Sequence, residues 1–514
     1  MTARIPPVLR PEHPAARSLA ELVNEFGLAY SGSVDGVEIT GVTLSTNEVR
    51  PGDLYVGIKG ANSHGARYAV GAKEGGAVAV LTDVEGAALI EGVGIPVIVV
   101  ESPRAALGEI SAWVYRTHDE PPLLFGTTGT NGKTSTSYLL AAILRQLGLV
   151  TGLSSTAERH IGDEVVVSRL TTPEASEMHA LLARMREAEV RAVAIEVSAQ
   201  ALERHRVDGI VFDVVAFTNL SHDHLDDYAD MEEYFQYKLA LFDPDRARRG
   251  VVSLDSLYGQ RVVTESRIPV TTISATRGVE GEWNVEVLDE QAEYTEFTLT
   301  GPHGRSVTSR VPLIGWHMAA NAGLAIVMLV EAGFELEAIG QALEEAGGID
   351  AYLPGRTERV SGERGPTVYV DFGHSPDAFK QTLAAVRAVT TGRVVMVFGA
   401  DGDRDASKRH EMGRVASEGS DILVITDHHP RFENPASIRA TLIEGAHLAE
   451  HEAELHEVSP PEKAIRAAVV LANEGDSILW AGPGHQDYRD IEGVRTPYSA
   501  RDEARLALRE AGWS

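Results

Sequence analysis

The sequence predicts an α/β protein of several domains built on mostly parallel sheets. Three observations carry that expectation. The chain has 514 residues, against roughly 100 to 200 for a typical domain. Short apolar runs alternate with helical periodicity and end in polar clusters, and a Gly/Thr-rich loop sits between an apolar strand and a helix. A 43% hydrophobic and 24% charged composition is ordinary for globular proteins and excludes a fibrous or mostly disordered chain.

The elements follow in order. From residue 37 to about 100, β-rich runs at 54–58, 78–82 and 96–100 alternate with Gly-rich turns and one helical stretch, which predicts a small α/β domain. A linker is expected over 102–122. Residues 123–125 read as a strand, followed by the Gly/Thr-rich loop and a helix with Ser135, Tyr138, Leu139, Ala142, Ile143 and Leu147 on one face. Buried strands are expected at 192–195 and 211–217, antiparallel strands within 283–311, and a closing helix at 317–331. After Leu353-Pro-Gly-Arg356 the βα rhythm restarts, with strands at 367–372, 394–398, 422–426 and 477–480. The expected divisions are 1–105, 106–353 and 354–514.

Charge and composition exclude several function classes. Seventy-five acidic against 46 basic residues give a formal charge of −29, which argues against a nucleic-acid or anionic-membrane surface as partner. An anionic ligand therefore needs a local cationic pocket. With no Cys there is no disulfide, thiolate metal site or cysteine nucleophile, in keeping with a reducing cytoplasm. The longest apolar runs, 138–144 and 324–330, fall well short of the roughly 18 residues that span a bilayer. Residues 1–18 hold four prolines and no apolar middle, unlike a signal peptide. A soluble, cytoplasmic protein is expected.

The clearest chemical signal is Gly126-Thr-Thr-Gly-Thr-Asn-Gly-Lys-Thr134. Small residues let backbone N–H groups curl around phosphate oxygens, with Lys133 to meet the terminal phosphates and Thr134 to hold Mg²⁺. Thr127 stands where the strict pattern wants Gly, so this is a variant loop. The strand ending in Glu196-Val-Ser198 brings a carboxylate to the same sheet edge, and the next ends in Thr218-Asn-Leu-Ser-His-Asp-His-Leu-Asp226. Such groups can cap loops, or they can hold a hard cation beside the phosphates. In the helix that follows, Met231, Tyr234, Phe235, Lys238, Leu239 and Phe242 share one face. Lys238 either snorkels to water or, if buried, becomes a free amine able to add carbon dioxide as a carbamate.

In order along the chain, Gly126-Thr-Thr-Gly-Thr-Asn-Gly-Lys-Thr134, Thr171-Thr-Pro-Glu174, Glu196-Val-Ser198, Asn219-Leu-Ser-His-Asp-His-Leu-Asp226, Asn321, Gly355-Arg356, Asp371-Phe-Gly-His-Ser-Pro-Asp377 and Gly402-Asp-Arg-Asp405 resemble the Mur ligases of peptidoglycan synthesis. The likeness covers about residues 37–505. Within the family it is strongest to members that add the third peptide residue to UDP-N-acetylmuramoyl-L-alanyl-D-glutamate. It implies an N-terminal UDP-binding domain, a central ATPase domain and a Rossmann-like C-terminal domain for the amino acid. It also implies an acyl-phosphate mechanism, in which ATP phosphorylates the D-glutamate side chain and an amine then displaces phosphate. By the resemblance, Thr130, Asn131, Gly132, Lys133 and Thr134 hold the phosphates, and Asn321, Arg356 and Asp371 contact the nucleotide. Thr134, Glu196, His224 and a carbamylated Lys238 hold Mg²⁺. Thr46, Thr171, Thr172, Ser198, Arg204 and Arg206 meet the UDP-muramoyl-dipeptide. A monomer acting on that substrate and an amino acid is expected.

Departures from the family pattern bear on specificity. Ser45-Thr-Asn47 replaces Asp-Ser-Arg, keeping a hydroxyl at Thr46 but losing a cation. His428-His-Pro-Arg431 replaces the Asp-Asn-Pro-Arg of diaminopimelate-adding relatives, and Gly482-Pro-Gly-His-Gln486 replaces Gly-Lys-Gly-His-Glu. Arg431 can still pair with a carboxylate, whereas Gln486 loses an ion pair to a distal amine. With His429, Arg431, Gly482 and Gln486 around the acceptor, these changes favour lysine, ornithine or a shorter diamino acid. The alternatives are the meso-diaminopimelate-adding version, a folate-extending ligase without the UDP domain, and a non-catalytic nucleotide-binding regulator.

Overall fold

A computed structural model describes residues 8–60, 62–223 and 225–513. Three sheets follow one another along the chain. The first has five strands in the order Ala29–Ser31, Val97–Val99, Ala79–Thr82, Asp53–Gly57, Gly41–Thr43, parallel except for the first. The second has eleven strands, and the third has six between Glu358–Arg359 and Glu454–Glu457. The expected α/β class with mostly parallel sheets is what the chain adopts. Among the described residues no helix is long and apolar enough to cross a membrane.

The middle of the central sheet positions the chemistry. Strand Leu123–Thr128 lies between Ala192–Glu196 and Phe212–Phe217, all parallel, with Thr127 opposite Glu196 and Thr128 opposite Phe217. These strands are almost wholly buried, as the apolar runs 123–125, 192–195 and 214–217 within them require. Because the three end in register, the loops after residues 128, 196 and 217 share one rim.

Helix Lys133–Gln146 departs from its expected single apolar face, since residues 134–144 are all buried. The central sheet, the apolar helix Trp316–Glu331 and the apolar face of Leu336–Glu345 (Leu336, Ile339 and Leu343) contribute to the same core. Its small Thr, Ser and Ala positions are what permit packing all round.

The expected linker over 102–122 is corrected: Pro103–Tyr115 is a helix. Ser102 caps it by accepting the Ala105 N–H, and Pro103 occupies its first turn, where a missing N–H costs nothing. Leu107, Ile110, Val114 and Tyr115 join the N-terminal core, so the helix runs through the expected division at 105. A hairpin absent from the sequence reading, Thr151–Ser154, Glu158–Ile161 and Glu164–Val167, extends the central sheet at one edge.

Candidate active site

The loop between strand and helix is built on two strained positions. Gly129 has φ 150° and Gly132 φ 86°. A Cβ at Gly129 would lie 1.8 Å from Thr218 Oγ1, and one at Gly132 2.7 Å from Asn321 Oδ1. The loop is braced by Thr130 N–H donating to Asn219 O (2.9 Å), Asn131 N–H to Asn219 Oδ1 (2.9 Å) and Thr218 Oγ1 to Asn131 O (2.6 Å). No side chain caps the helix that starts at Lys133. Its free N–H groups and macrodipole therefore face the cavity as an anion site.

Two lysines converge on this loop. Lys133 Nζ donates to Gly129 O (2.9 Å) and Thr130 O (2.8 Å), and Lys238 Nζ donates to the same Gly129 O (2.8 Å). Lys238 is 1% exposed, which rules out snorkelling. Burial, and next the charge of Lys133, push its pKa well below the usual lysine value. Burial also lowers Lys133, with Glu196 and Asp223 opposing the shift. Lys238 is therefore the amine disposed to be neutral.

Glu196 is fully buried at the end of its strand. Thr156 holds both carboxylate oxygens, its N–H donating to Oε1 and its hydroxyl to Oε2, each at 2.9 Å. Thr156 Oγ1 also lies 3.0 Å from the Thr171 hydroxyl. Thr172 Oγ1 donates to Glu196 O (2.7 Å), fixing the strand end from the other side. Glu196 and Thr134 offer hard oxygen donors on one cavity, a donor set that suits Mg²⁺. Lys238 is buried beside the same loop, while the expected ligand His224 lies outside the described residues.

The C-terminal sheet closes over this rim. Arg356 Nη2 donates to Thr134 Oγ1 (2.8 Å), Asn131 Nδ2 to Asp377 Oδ2 (3.1 Å), and the buried Lys408 Nζ to Asp223 Oδ1 (2.7 Å). Asp371 accepts from Thr357 N (2.7 Å) and Gly373 N (2.6 Å). On the next loops Asp401 Oδ2 accepts from Arg431 Nη2 (3.3 Å), and His428 Nε2 lies 3.5 Å from Asp401 Oδ1. Burial, then the neighbouring His429, lower the His428 pKa to about 3, so this imidazole is neutral.

One cavity of about 390 Å³ joins these groups. It is lined by Thr130, Asn131, Gly132, Lys133, Thr134, Glu196, Asn321, Arg356 and Asp371, and by Thr171, Ser198, Arg431, Gly482 and Gln486. The other expected contacts are not on it. Thr46 is half-buried in the N-terminal part, Arg204 is exposed, and Arg206 is tied to Glu174 Oε1 (2.9 Å). Thr172 spends its hydroxyl on the Glu196 strand, and His429 spends Nε2 on Gln486 Oε1 (2.9 Å). Thr156, Asp401 and Lys408 line the cavity although the sequence did not single them out.

Comparison with known proteins agrees with this geometry. The Mur ligase family catalytic domain matches residues 38–115, the Mur ligase middle domain 127–329, and the glutamate ligase domain 355–484. A protein of Leifsonia xyli subsp. xyli named UDP-N-acetylmuramyl-tripeptide synthetase is 63% identical over 513 residues, covering 100% of each chain. A UDP-N-acetylmuramoyl-L-alanyl-D-glutamate--2,6-diaminopimelate ligase of Streptomyces avermitilis is 42% identical, covering 99% of each. A solved diaminopimelate ligase structure superposes with a TM-score of 0.66 at 25% identity, covering 97% of this chain and 100% of the other. Thermotoga maritima MurF in complex with ADP shares the fold at TM-score 0.63 and 16% identity, covering 91% of this chain and 97% of that one. The chain belongs to the Mur ligase family of ATP-dependent, amide-bond-forming ligases.

Proposed function

We propose that this ligase adds the third amino acid of the peptidoglycan peptide, a diamino acid, to the D-glutamate side-chain carboxylate of UDP-N-acetylmuramoyl-L-alanyl-D-glutamate. It does so as a cytoplasmic monomer whose three parts, divided after the helix at 103–115 and near residue 353, take the UDP end, ATP and the amino acid. The observation that carries the reading is the single cavity running from the phosphate loop to Arg431 and Gln486. A phosphoryl donor and an amine acceptor can meet there around one carboxylate.

A carboxylate is inert to amines until its oxygen becomes a leaving group. The γ-phosphoryl of ATP passes to a D-glutamate oxygen, the amine attacks the carbonyl carbon, and phosphate leaves with that oxygen. Two anions must first meet, so the site needs concentrated positive charge. Lys133 and the free N–H groups of its helix hold the phosphates, and Asn321, Arg356 and Asp371 orient the nucleotide. Thr46, Thr171, Thr172, Ser198, Arg204 and Arg206 hold the UDP-muramoyl-dipeptide, and His429, Arg431, Gly482 and Gln486 surround the acceptor. Thr134, Glu196, His224 and Lys238 as its carbamate would hold Mg²⁺, which when bound neutralises charge on the phosphoryl oxygens. The burial of Lys238 against Lys133 supports the carbamate, because only a neutral amine adds carbon dioxide.

Phosphate release from ATP should require the UDP-muramoyl-dipeptide and an amino acid together. Steady hydrolysis with neither would overturn the reading.

A further inference from the structure

Asp401, His428 and His429 present ligand atoms within 4.8 Å of one another, an arrangement that invites a metal. The hydrogen bonds exclude that use. His429 Nδ1 accepts from the Asp490 N–H (3.0 Å), so the ring proton sits on Nε2, which donates to Gln486 Oε1 (2.9 Å). Neither nitrogen retains a lone pair for an ion. The same pair of bonds orients Gln486: its carbonyl is turned towards His429, and its NH₂ is left for a ligand.

The acceptor end of the cavity thus holds few groups that can receive a cation. His428 is neutral and Gln486 is an uncharged amide turned towards His429, so neither supplies a charge to pair with a cation. Asp401 is different: its side chain lines the cavity and is 31% exposed, with His428 Nε2 3.5 Å from Oδ1 and Arg431 on Oδ2. Burial disfavours its charge, but the paired Arg431 guanidinium favours it, and its pKa lies below the usual carboxylate value. An ionised carboxylate on the wall of a ligand cavity is a ready partner for an N–H donor. Arg431 is already paired with Oδ2 of the same carboxylate. A second carboxylate on the ligand would have to share that guanidinium and face Asp401 across it.

We propose that Asp401 is a specificity-determining residue whose carboxylate binds the distal ammonium of the acceptor, which is a diamino acid lacking a second carboxylate. Gln486 presents its amide N–H groups beside it and does not receive the cation. The inference rests on the ligase reading given above and deepens it.

Phosphate release is measured with ATP, the UDP-muramoyl-dipeptide and, in turn, L-lysine, L-ornithine, L-2,4-diaminobutyrate, meso-diaminopimelate and L-norleucine. At least one of the first three should be used in preference to both diaminopimelate and norleucine. Asp401→Asn should lower kcat/KM for that acceptor by about 10- to 100-fold, the range for a hydrogen bond to a charged group. The loss should fall mainly on the acceptor KM. ADP binding by calorimetry reports whether the variant is folded, and if it is not, the acceptor series alone decides. Preference for diaminopimelate, equal use of norleucine, or an unchanged KM in a folded Asp401→Asn would overturn the proposal while leaving the ligase reading intact. Release with none of the acceptors would bring down both.

Discussion

Lys238 is the residue at which local physics is most exposed. Two ammonium groups sharing the Gly129 carbonyl cannot both stay charged cheaply away from water, and Lys238 is the more deeply buried. We expect ligase activity to fall when carbon dioxide is stripped from the buffers and to return with bicarbonate. Lys238→Met should be inactive under both conditions. Labelled bicarbonate should give a carbamate resonance in the wild type and none in the variant. His179 tests burial by another route. Thr117 Oγ1 (2.8 Å) and Asp208 O (2.9 Å) satisfy both its nitrogens, and burial lowers its pKa to about 4. Below about pH 6.5 the unfolded chain protonates this ring while the folded one does not, so stability falls as pH drops from 6.5 towards 4. The loss should approach about 3 kcal/mol. His179→Gln should flatten that part of the stability profile measured by urea unfolding at each pH.

The hairpin Thr151–Ser154/Glu158–Ile161 shows how an element can matter without being legible. Its turn carries Thr156, whose N–H and hydroxyl hold both oxygens of Glu196. Thr156→Val keeps the β-branched shape and the N–H but frees Oε2 to swing. The Mg²⁺ concentration for half-maximal phosphate release should rise roughly tenfold, the low end for losing a residue that orients a metal ligand. ADP binding without Mg²⁺ should be unchanged. An unaltered Mg²⁺ dependence would show that the strand alone fixes Glu196. Strands with a continuous apolar run, such as 192–195, 214–217 and 394–398, were legible in the sequence because burial on both faces leaves an unbroken signal. This hairpin was not, because Thr151-Gly-Leu-Ser154 is half polar and the outer strand is exposed on both faces. The helix at 103–115 lies inside the expected linker, and its Ser102-Pro103 start is a helix signal, since the first turn tolerates a proline. The phosphate loop and Glu196 were legible because they are local in sequence. Asp401 and Lys408 were not, since their partners Arg431 and Asp223 lie 30 and 185 residues away.

At the scale of the whole molecule, the cavity exists only because the C-terminal sheet is closed onto the central one. Among the contacts across that seam, Lys408–Asp223 is the buried ion pair, with side chains 10% and 5% exposed. Its attraction acts with little solvent screening, and both partners lose it when the halves part. Lys408→Met removes the charge and keeps much of the stem. His374 Nε2, at 3.8 Å from the other Asp223 oxygen, partly compensates. The cost to closure should therefore sit at the low end for a truncated buried charge pair, about 2 kcal/mol, which is roughly 30-fold in the ratio of open to closed molecules. The nucleotide loop itself is untouched, so ADP should still bind. Amide formation needs the acceptor loop brought to the phosphate loop, so kcat should fall while the KM for ATP changes little. Small-angle scattering should give a larger radius of gyration for the variant than for the wild type, narrowing again when both substrates are added. A variant as compact and as active as the wild type would mean that the other contacts across the seam, Arg356–Thr134, Asn131–Asp377 and Arg404–Asp226 among them, suffice to hold the halves together.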